Sequence, residues 1–308
     1  VLAAAGCTRR APAAPDPVVP MASGTRLDRL PWPDHPALTG VSGLDVGPGE
    51  RLWLAPERRP ELLGLPIGDG FSPEAVSVVG LPDGLDVEGL AFSPDRGRVF
   101  LATEAQRERR DDDGIYVGRW GPTLRVERRL RFDHRAFGGP AEENRGLEGV
   151  CVAGEWVVAT SEMVDRRDGA RWARVGRWRW PDGAFRAHRV QLGSAEGKLS
   201  ALTCRPDGAG VEVLAIERHF GLCRLVRFTL SEGAAEAIAR PVVDLAPLLP
   251  RPTPNVEGLA AIDGGFVLVS DNHYGRRMGP TLAFRLVLGA DQGREGARTG
   301  SGSPGPSP

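Results

Sequence analysis

Acidic side chains recur in this sequence at matching places in repeated hairpins. "VEGLAFSPDRGRVFLATE" (Val87 to Glu104) carries Glu88 near its start and Glu104 at its end. "LEGVCVAGEWVVATSE" carries Glu148 and Glu162 in the same way, and "VEGLAAIDGGFVLVSD" carries Glu257 and Asp271. "LSALTCRPDGAGVEVLAIE" keeps the second acid, Glu217, and has Ala201 at the place read as matching the first. "VSGLDVGPGERLWLAPE" keeps Glu57, with Ser42 standing for the first acid. In an antiparallel hairpin the start of one strand lies beside the end of the next, so each acid pair is expected to meet. Carboxylates gathered this closely raise one another's pKa unless a cation compensates. A hard cation with oxygen ligands, Ca²⁺ foremost, is one solution. Its candidate ligands are Glu88, Glu104, Glu148, Glu162, Glu217, Glu257 and Asp271, with Glu57 beside them. The competing solution is salt bridging by the nearby Arg145, Arg218 and Arg276.

Two loops that follow second strands resemble each other. "ERHFG" (Glu217 to Gly221) and "DNHYG" (Asp271 to Gly275) share acid, polar, histidine, aromatic and glycine in order. His219 and His273 are thus expected over the acids, and a histidine beside carboxylates suits general acid–base work near neutral pH. "NRGLEG" brings Arg145 just ahead of Glu148, where a guanidinium suits a phosphate or carboxylate or neutralises the acid. The run Asp111, Asp112 and Asp113 lacks the spacing of a calcium loop and reads as a solvated turn. No GxSxG elbow, phosphate-binding loop or dinucleotide fingerprint occurs, and nothing marks Ser161 or Ser270 as an activated nucleophile.

The elements that must position these residues are strands. Each quoted segment is an apolar strand, a tight turn and a second apolar strand, and the turns "GPGE", "SPDRG", "AGE", "RPDGAG" and "DGG" are hairpin chemistry. Between them "GIYVGRWGPTLRVERRL", "RWARVGRWRWPDGAFRAHRV" and "GLCRLVRFTLSEGAAEAIA" alternate with period two and read as further hairpins. Such a repeat in an all-β chain predicts a β-propeller of four-stranded blades. Five blades are favoured over six. The last repeat supplies three strands only, and "TRLDRLPW" (Thr25 to Trp32) is expected to complete it, closing the ring and hiding the sheet edges.

The chain has 308 residues, 41% of them hydrophobic, with a formal charge of -1. That balance gives no electrostatic case for a nucleic-acid partner, and the expectation is a monomer. Basic charge is almost all arginine, and Lys198 is the single lysine. "VLAAAGC" resembles a bacterial lipobox, so Cys7 is expected to carry a lipid that anchors the protein on the outer side of a membrane. Residues 1–24 read as signal remnant and Pro/Ala tether, residues 25–290 as the propeller and residues 291–308 as a disordered tail. Cys151, Cys204 and Cys223 lie in apolar runs with no CxxC spacing and read as buried free thiols.

Taken together, "DVEGLAFSPDRGRVFLATEA", "NRGLEGVCVAGEWVVATSE", "LSALTCRPDGAGVEVLAIERHFG" and "NVEGLAAIDGGFVLVSDNHYG" resemble the bacterial phytase-like domain family described as "esterase-like activity of phytase". The resemblance covers the chain from about Gly24 to Gly289. It implies an extracytoplasmic propeller with bound calcium that hydrolyses a phosphoester or another ester. The family pattern falls on Glu88, Asn144, Arg145, Glu148, Glu217, Glu257, Asp271 and Asn272, and the chain departs from it at Ala201 and Ser42. The expected function is therefore a lipid-anchored propeller hydrolase of a small-molecule ester or phosphoester. Ca²⁺ would be held by some of Glu88, Glu148, Glu257 and Asp271, protons moved by His219 or His273, and the substrate gripped by Asn144, Arg145, Arg218 and Asn272. A lactonase-like metal enzyme and a non-catalytic envelope binding module are the rival readings.

Overall fold

A computed structural model describes residues 21–67, 71–105, 113–139, 145–272 and 279–289. Strands dominate it, and no α-helix occurs among the described residues. After the short β1 (Arg26–Arg29) come β2 (Val41–Gly47), β3 (Arg51–Pro56), β4 (Glu61–Pro66) and β5 (Glu74–Val79). A second group holds β6 (Leu85–Phe92), β7 (Arg98–Ala105), β8 (Gly114–Arg119) and β9 (Thr123–Arg131). The third holds β10 (Leu147–Ala153), β11 (Trp156–Arg167), β12 (Ala170–Arg179) and β13 (Ala184–Leu192). Then come β14 (Lys198–Asp207), β15 (Gly210–His219), β16 (Leu222–Leu230), β17 (Glu236–Ile238) and β18 (Arg240–Asp244), and finally β19 (Asn255–Ile262), β20 (Gly265–Asp271) and β21 (Ala283–Val287).

Each group is an antiparallel meander, innermost strand first. The last group runs β19, β20, β21 and is completed by β1, which pairs antiparallel with β21 from Arg26 opposite Val287 to Arg29 opposite Phe284. The N-terminal strand thus closes the ring as the strand count predicts. Two parallel contacts stitch outer edges of neighbouring groups, β5 on β9 and β17 on β13. This is a β-propeller, the sheets standing around a central channel lined by β2, β6, β10, β14 and β19.

The core lies between sheets rather than inside one. One apolar layer fills the gap between the first and second groups with Trp53, Leu62, Leu90, Leu101 and Tyr116. Similar layers follow around the ring, and the last, with Val41, Leu52, Leu54, Ala260 and Val267, joins the final group back to the first. Sheets buried on both faces explain why the inner strands read as continuous apolar runs.

The glycine after the acid in the "EGL" repeats has a packing reason. A Cβ on Gly149 would stand 2.2 Å from the carbonyl oxygen of Ser200, and one on Gly89 would stand 2.9 Å from the amide nitrogen of Val150. Innermost strands converge on the channel backbone to backbone, and only glycine lets them approach so closely. One cross-link lies here: Cys151 on β10 and Cys204 on β14 form a disulfide with Cα atoms 5.8 Å apart. This corrects the expectation of three free thiols. The two cysteines lie 53 residues apart, on neighbouring inner strands that only the closed ring brings together. Cys223 remains a buried free thiol.

Candidate functional site

The acids reach the channel through a repeated irregularity. In each inner hairpin the register slips by one residue, between Val41 and Gly43, Val87 and Gly89, Leu147 and Gly149, Leu199 and Leu202, and Val256 and Gly258. The extra residue of such a bulge leaves the ladder and its side chain is re-aimed. Glu88, Glu148 and Glu257 are these residues, with Ser42 in the first hairpin. In the fourth, Ser200 takes the acid's place and Ala201 the glycine's. The sequence alignment that set Ala201 against the acids was therefore one residue out of step. Ser200 donates its hydroxyl to the carbonyl of Val256, 3.1 Å away, and joins β14 to β19 instead of facing a cation.

The result is a cavity of about 770 Å³ at one mouth of the channel. Eight carboxylates line it: Glu57, Asp86, Glu88, Glu104, Glu148, Glu162, Glu257 and Asp271. Its cationic side chains among the described residues are Arg58, Lys198 and Arg218, with His219 at the edge.

Compensation is uneven. Lys198 Nζ lies 3.1 Å from Glu148 Oε1 and also bonds Glu162. Arg218 bonds Glu257 and stands 3.5 Å from Glu148 Oε2. Burial opposes ionisation of Glu148, yet Lys198 and Arg218 outweigh it and hold the carboxyl below its ordinary range. Burial likewise disfavours charge on Lys198, but Glu148 and Glu162 keep its pKa above the usual lysine value. Glu162 is raised, by burial and by Glu148. Glu257 is pushed up to about 7 by burial, with Arg218 pulling the other way.

On the opposite wall Glu57, Glu88 and Glu104 have no cation within salt-bridge distance among the described residues. Burial, then Asp271 and Glu257, push Glu57 up to about 8. Glu104 also reaches about 8 through burial, although the Gly146 N–H donates to its Oε1 at 2.7 Å. Burial and the surrounding Glu57, Glu257, Glu148 and Glu104 raise Glu88 well above the carboxylate range. Ser42 donates to Glu57 at 3.1 Å and to Glu257 at 3.3 Å. Two carboxylate groups have ligand atoms within 4.8 Å of one another, Glu57–Glu257–Asp271 and Glu57–Asp86–Glu88. An all-oxygen donor set with excess negative charge is what a hard divalent cation requires.

Several sequence expectations fall elsewhere. Glu217 is fully buried and engaged by Arg224 (2.9 Å), with Ser194 donating to its other oxygen. It is half of an internal ion pair and leaves the proposed metal set. Asn272 accepts the Gly40 N–H at 3.0 Å, tying the last sheet to the start of the first, so its carboxamide is a structural clamp rather than a substrate contact. Arg145 is exposed at the entry to β10 and does not line the cavity. His219 sits on the rim with Nδ1 3.2 Å from Glu196 Oε2, a charge contact not aligned for a hydrogen bond. Asp113 is not a solvated turn: it is buried, accepts the Ala105 N–H at 2.7 Å and lies 3.3 Å from His134 Nε2. Cys7, Asp111, Asp112, Asn144, His273 and Arg276 lie outside the described residues.

Asp86 and Lys198 were missed as site residues. Both precede the hairpin motif by one position, as do Gly40, Gly146 and Asn255. Reading each repeat one residue further upstream would have placed Asp86, Lys198 and Asn255 on one rim.

The sequence model of the phytase-like family, described as esterase-like activity of phytase, matches residues 36–274. No curated protein matches the chain. Among solved structures, a thermostable family-43 glycoside hydrolase superposes with a TM-score of 0.50 at 10% identity, over 94% of this chain and 99% of that one. A Dyadobacter fermentans protein of unknown function gives 0.49 at 11% identity, over 89% and 86% of the two chains. The PQQ-bound aldose sugar dehydrogenase of Streptomyces coelicolor gives 0.47 at 13% identity, over 88% and 100%. At 10% identity the first of these likenesses speaks to fold alone, and the other two carry no argument.

Proposed function

Because the chain belongs to the phytase-like family, the esterase-like activity of phytase group, we propose that it is a five-bladed propeller hydrolase of a phosphoester or carboxylic ester, working at the acidic mouth with Ca²⁺. The observation that carries this reading is the wall of the half-buried Glu57 and Glu88 and the buried Glu104, three carboxyls in the cavity without a cationic partner among the described residues. Left ionised they repel; a bound divalent cation removes that cost. Glu57, Glu88, Glu257 and Asp271, with Asp86, are the side chains that would hold it. When bound, the metal would polarise an ester oxygen and acidify a water.

The chain's own groups divide the remaining work. Lys198 and Arg218 keep Glu148, Glu162 and Glu257 in place and are the donors that an anionic substrate group would share on that side of the cavity. His219, at the solvent edge, exchanges a proton between the cavity and bulk water. The Cys151–Cys204 bond fits an oxidising compartment outside the cytoplasm, in keeping with a lipid anchor at Cys7. No helix of the described residues is long and apolar enough to cross a membrane.

The test is metal analysis of the purified protein, with melting and turnover of aryl phosphate and acetate esters measured with chelator and with added Ca²⁺. Activity lost to chelator and restored by Ca²⁺ is expected. Turnover that survives chelation, or no turnover together with no calcium bound, would sink the reading and favour a binding module.

A further inference from the structure

The hairpin between β15 and β16 holds an aromatic ring in open solvent beside the cavity. His219 and Leu222 are partners across the ladder, so Phe220 and Gly221 form a two-residue turn. Phe220 is 88% exposed, the most exposed large apolar side chain among the described residues. Its backbone is also in the left-handed region, at φ 42°, while Gly221 beside it is not. Left-handed backbone at the first turn position favours glycine, and a bulky residue there is strained. Two unfavourable features thus coincide in one residue, an exposed ring and a strained backbone. Exchanging the two residues would relieve the strain, since Gly221 has an ordinary φ and open space around it. Strain of this kind collects where a ligand is held.

The surroundings say what kind of ligand. The Phe220 ring meets His219 edge-on, with centroids 4.5 Å apart and planes at 77°. Phe220, Leu222, Pro252 and Pro254 line one side of a cavity whose other walls are charged. A molecule that fits such a space is amphipathic. One end is anionic or metal-coordinating and faces the carboxylates and Lys198, and the other is a flat apolar ring.

Resting on the hydrolase reading for the position of the polar end, we propose that Phe220 is a stacking platform that selects esters whose non-reacting group is an aromatic ring. Phe220 is a specificity residue: it touches the ring and takes no part in bond breaking. Offset or edge-on stacking adds to the area that the two rings bury, which gives about a tenfold preference for a ring over a methyl group.

The probes are phenylphosphonate and methylphosphonate, which share the anion and differ by the ring, titrated calorimetrically into the full chain with Ca²⁺ present. Phenylphosphonate is expected to bind about ten times more tightly, Phe220→Ala to bring the two level, and Phe220→Trp to keep the preference. Phe220→Gly checks the fold, because glycine accepts the left-handed turn and should melt no lower than the unaltered protein. Equal binding of the two probes, or a preference that persists in Phe220→Ala, overturns the platform even if esters are hydrolysed. A preference abolished in Phe220→Ala without turnover of any ester keeps the platform and removes the hydrolase reading.

Discussion

The two mouths of the channel are built from opposite ends of the same inner strands and differ in how their charge is balanced. At the entry ends the bulged Glu88, Glu148 and Glu257 point into a cavity of about 770 Å³ lined by eight carboxylates. At the exit ends Val46, Phe92, Val152, Ala153 and Ile262 line a cavity of about 1070 Å³ together with acids and cations in balance, Asp45, Glu50 and Asp263 with Arg96, Arg205 and Arg285, and the Cys151–Cys204 bond lies in its wall. At one end charges of both signs offset each other, and two of the five inner strands, β10 and β14, are covalently fastened there. The other carries like charges close together, which destabilises the fold. Opposed demands of this kind on one set of strands are expected where a site is held by a rigid scaffold.

The strongest way to break this comparison is at the fastened end. Replacing Cys151 and Cys204 by serine should lower stability to guanidinium by about 4 kcal/mol, from the loop the bond closes. It should leave calcium binding at the far mouth unchanged. Loss of calcium binding in that variant would show that the two ends are not independent.

Next in size is the compensated wall of the acidic mouth. Lys198→Met leaves the half-buried Glu162 without its cation and Glu148 with Arg218 alone, and should cost about 3 kcal/mol of unfolding free energy. Added Ca²⁺ should restore part of the loss. A neutral outcome would mean that the two acids share a proton without help.

The metal arm sharpens the comparison within the mouth. Ca²⁺ at one hundred times its Kd should add about 2.7 kcal/mol, visible as a rise in melting temperature. The rise should vanish in Glu57→Gln and survive in Glu148→Gln, whose carboxylate is engaged by Lys198 and Arg218. The reverse pattern would move the metal to the compensated wall.

The smallest effect is a pH slope. In the folded protein burial pushes Glu57 and Glu104 up to about 8, from an ordinary value of 4.5. Between these values the folded state binds more protons, so metal-free stability should fall as pH rises from 5 to 8, by about 2 kcal/mol after screening. Saturating Ca²⁺ should flatten the slope. A stability that stays flat over this range without metal would mean that the carboxyls are already ionised at pH 5.

Much of this was legible in the sequence. Hairpin turns, apolar runs and the missing fourth strand of the last repeat pointed to a closed ring, because each is a local signal that tertiary packing did not override. The meeting of Glu88 with Glu104 and of Glu257 with Asp271 at one mouth followed from strand direction alone. What stayed hidden depended on register and closure. The bulge decides whether Ser200 or Ala201 stands for an acid, and a bulge has no fixed residue signature. Cys151 and Cys204 meet only because two separate sheets stand side by side. Glu217 and Asn272 carry the expected residue types at the expected strand ends, but Arg224 and the Gly40 amide reach them first.

The position of Lys198 also has a practical consequence. The rest of the basic side chains are guanidinium groups and five imidazoles, which form no stable adduct with acylating reagents selective for primary amines. Apart from the α-amino group, such a reagent therefore finds one target, and that target stands in the channel between Glu148 and Glu162. The rate at which intact mass records a single adduct there becomes a direct gauge of how open and how occupied the mouth is, with no label added to the protein.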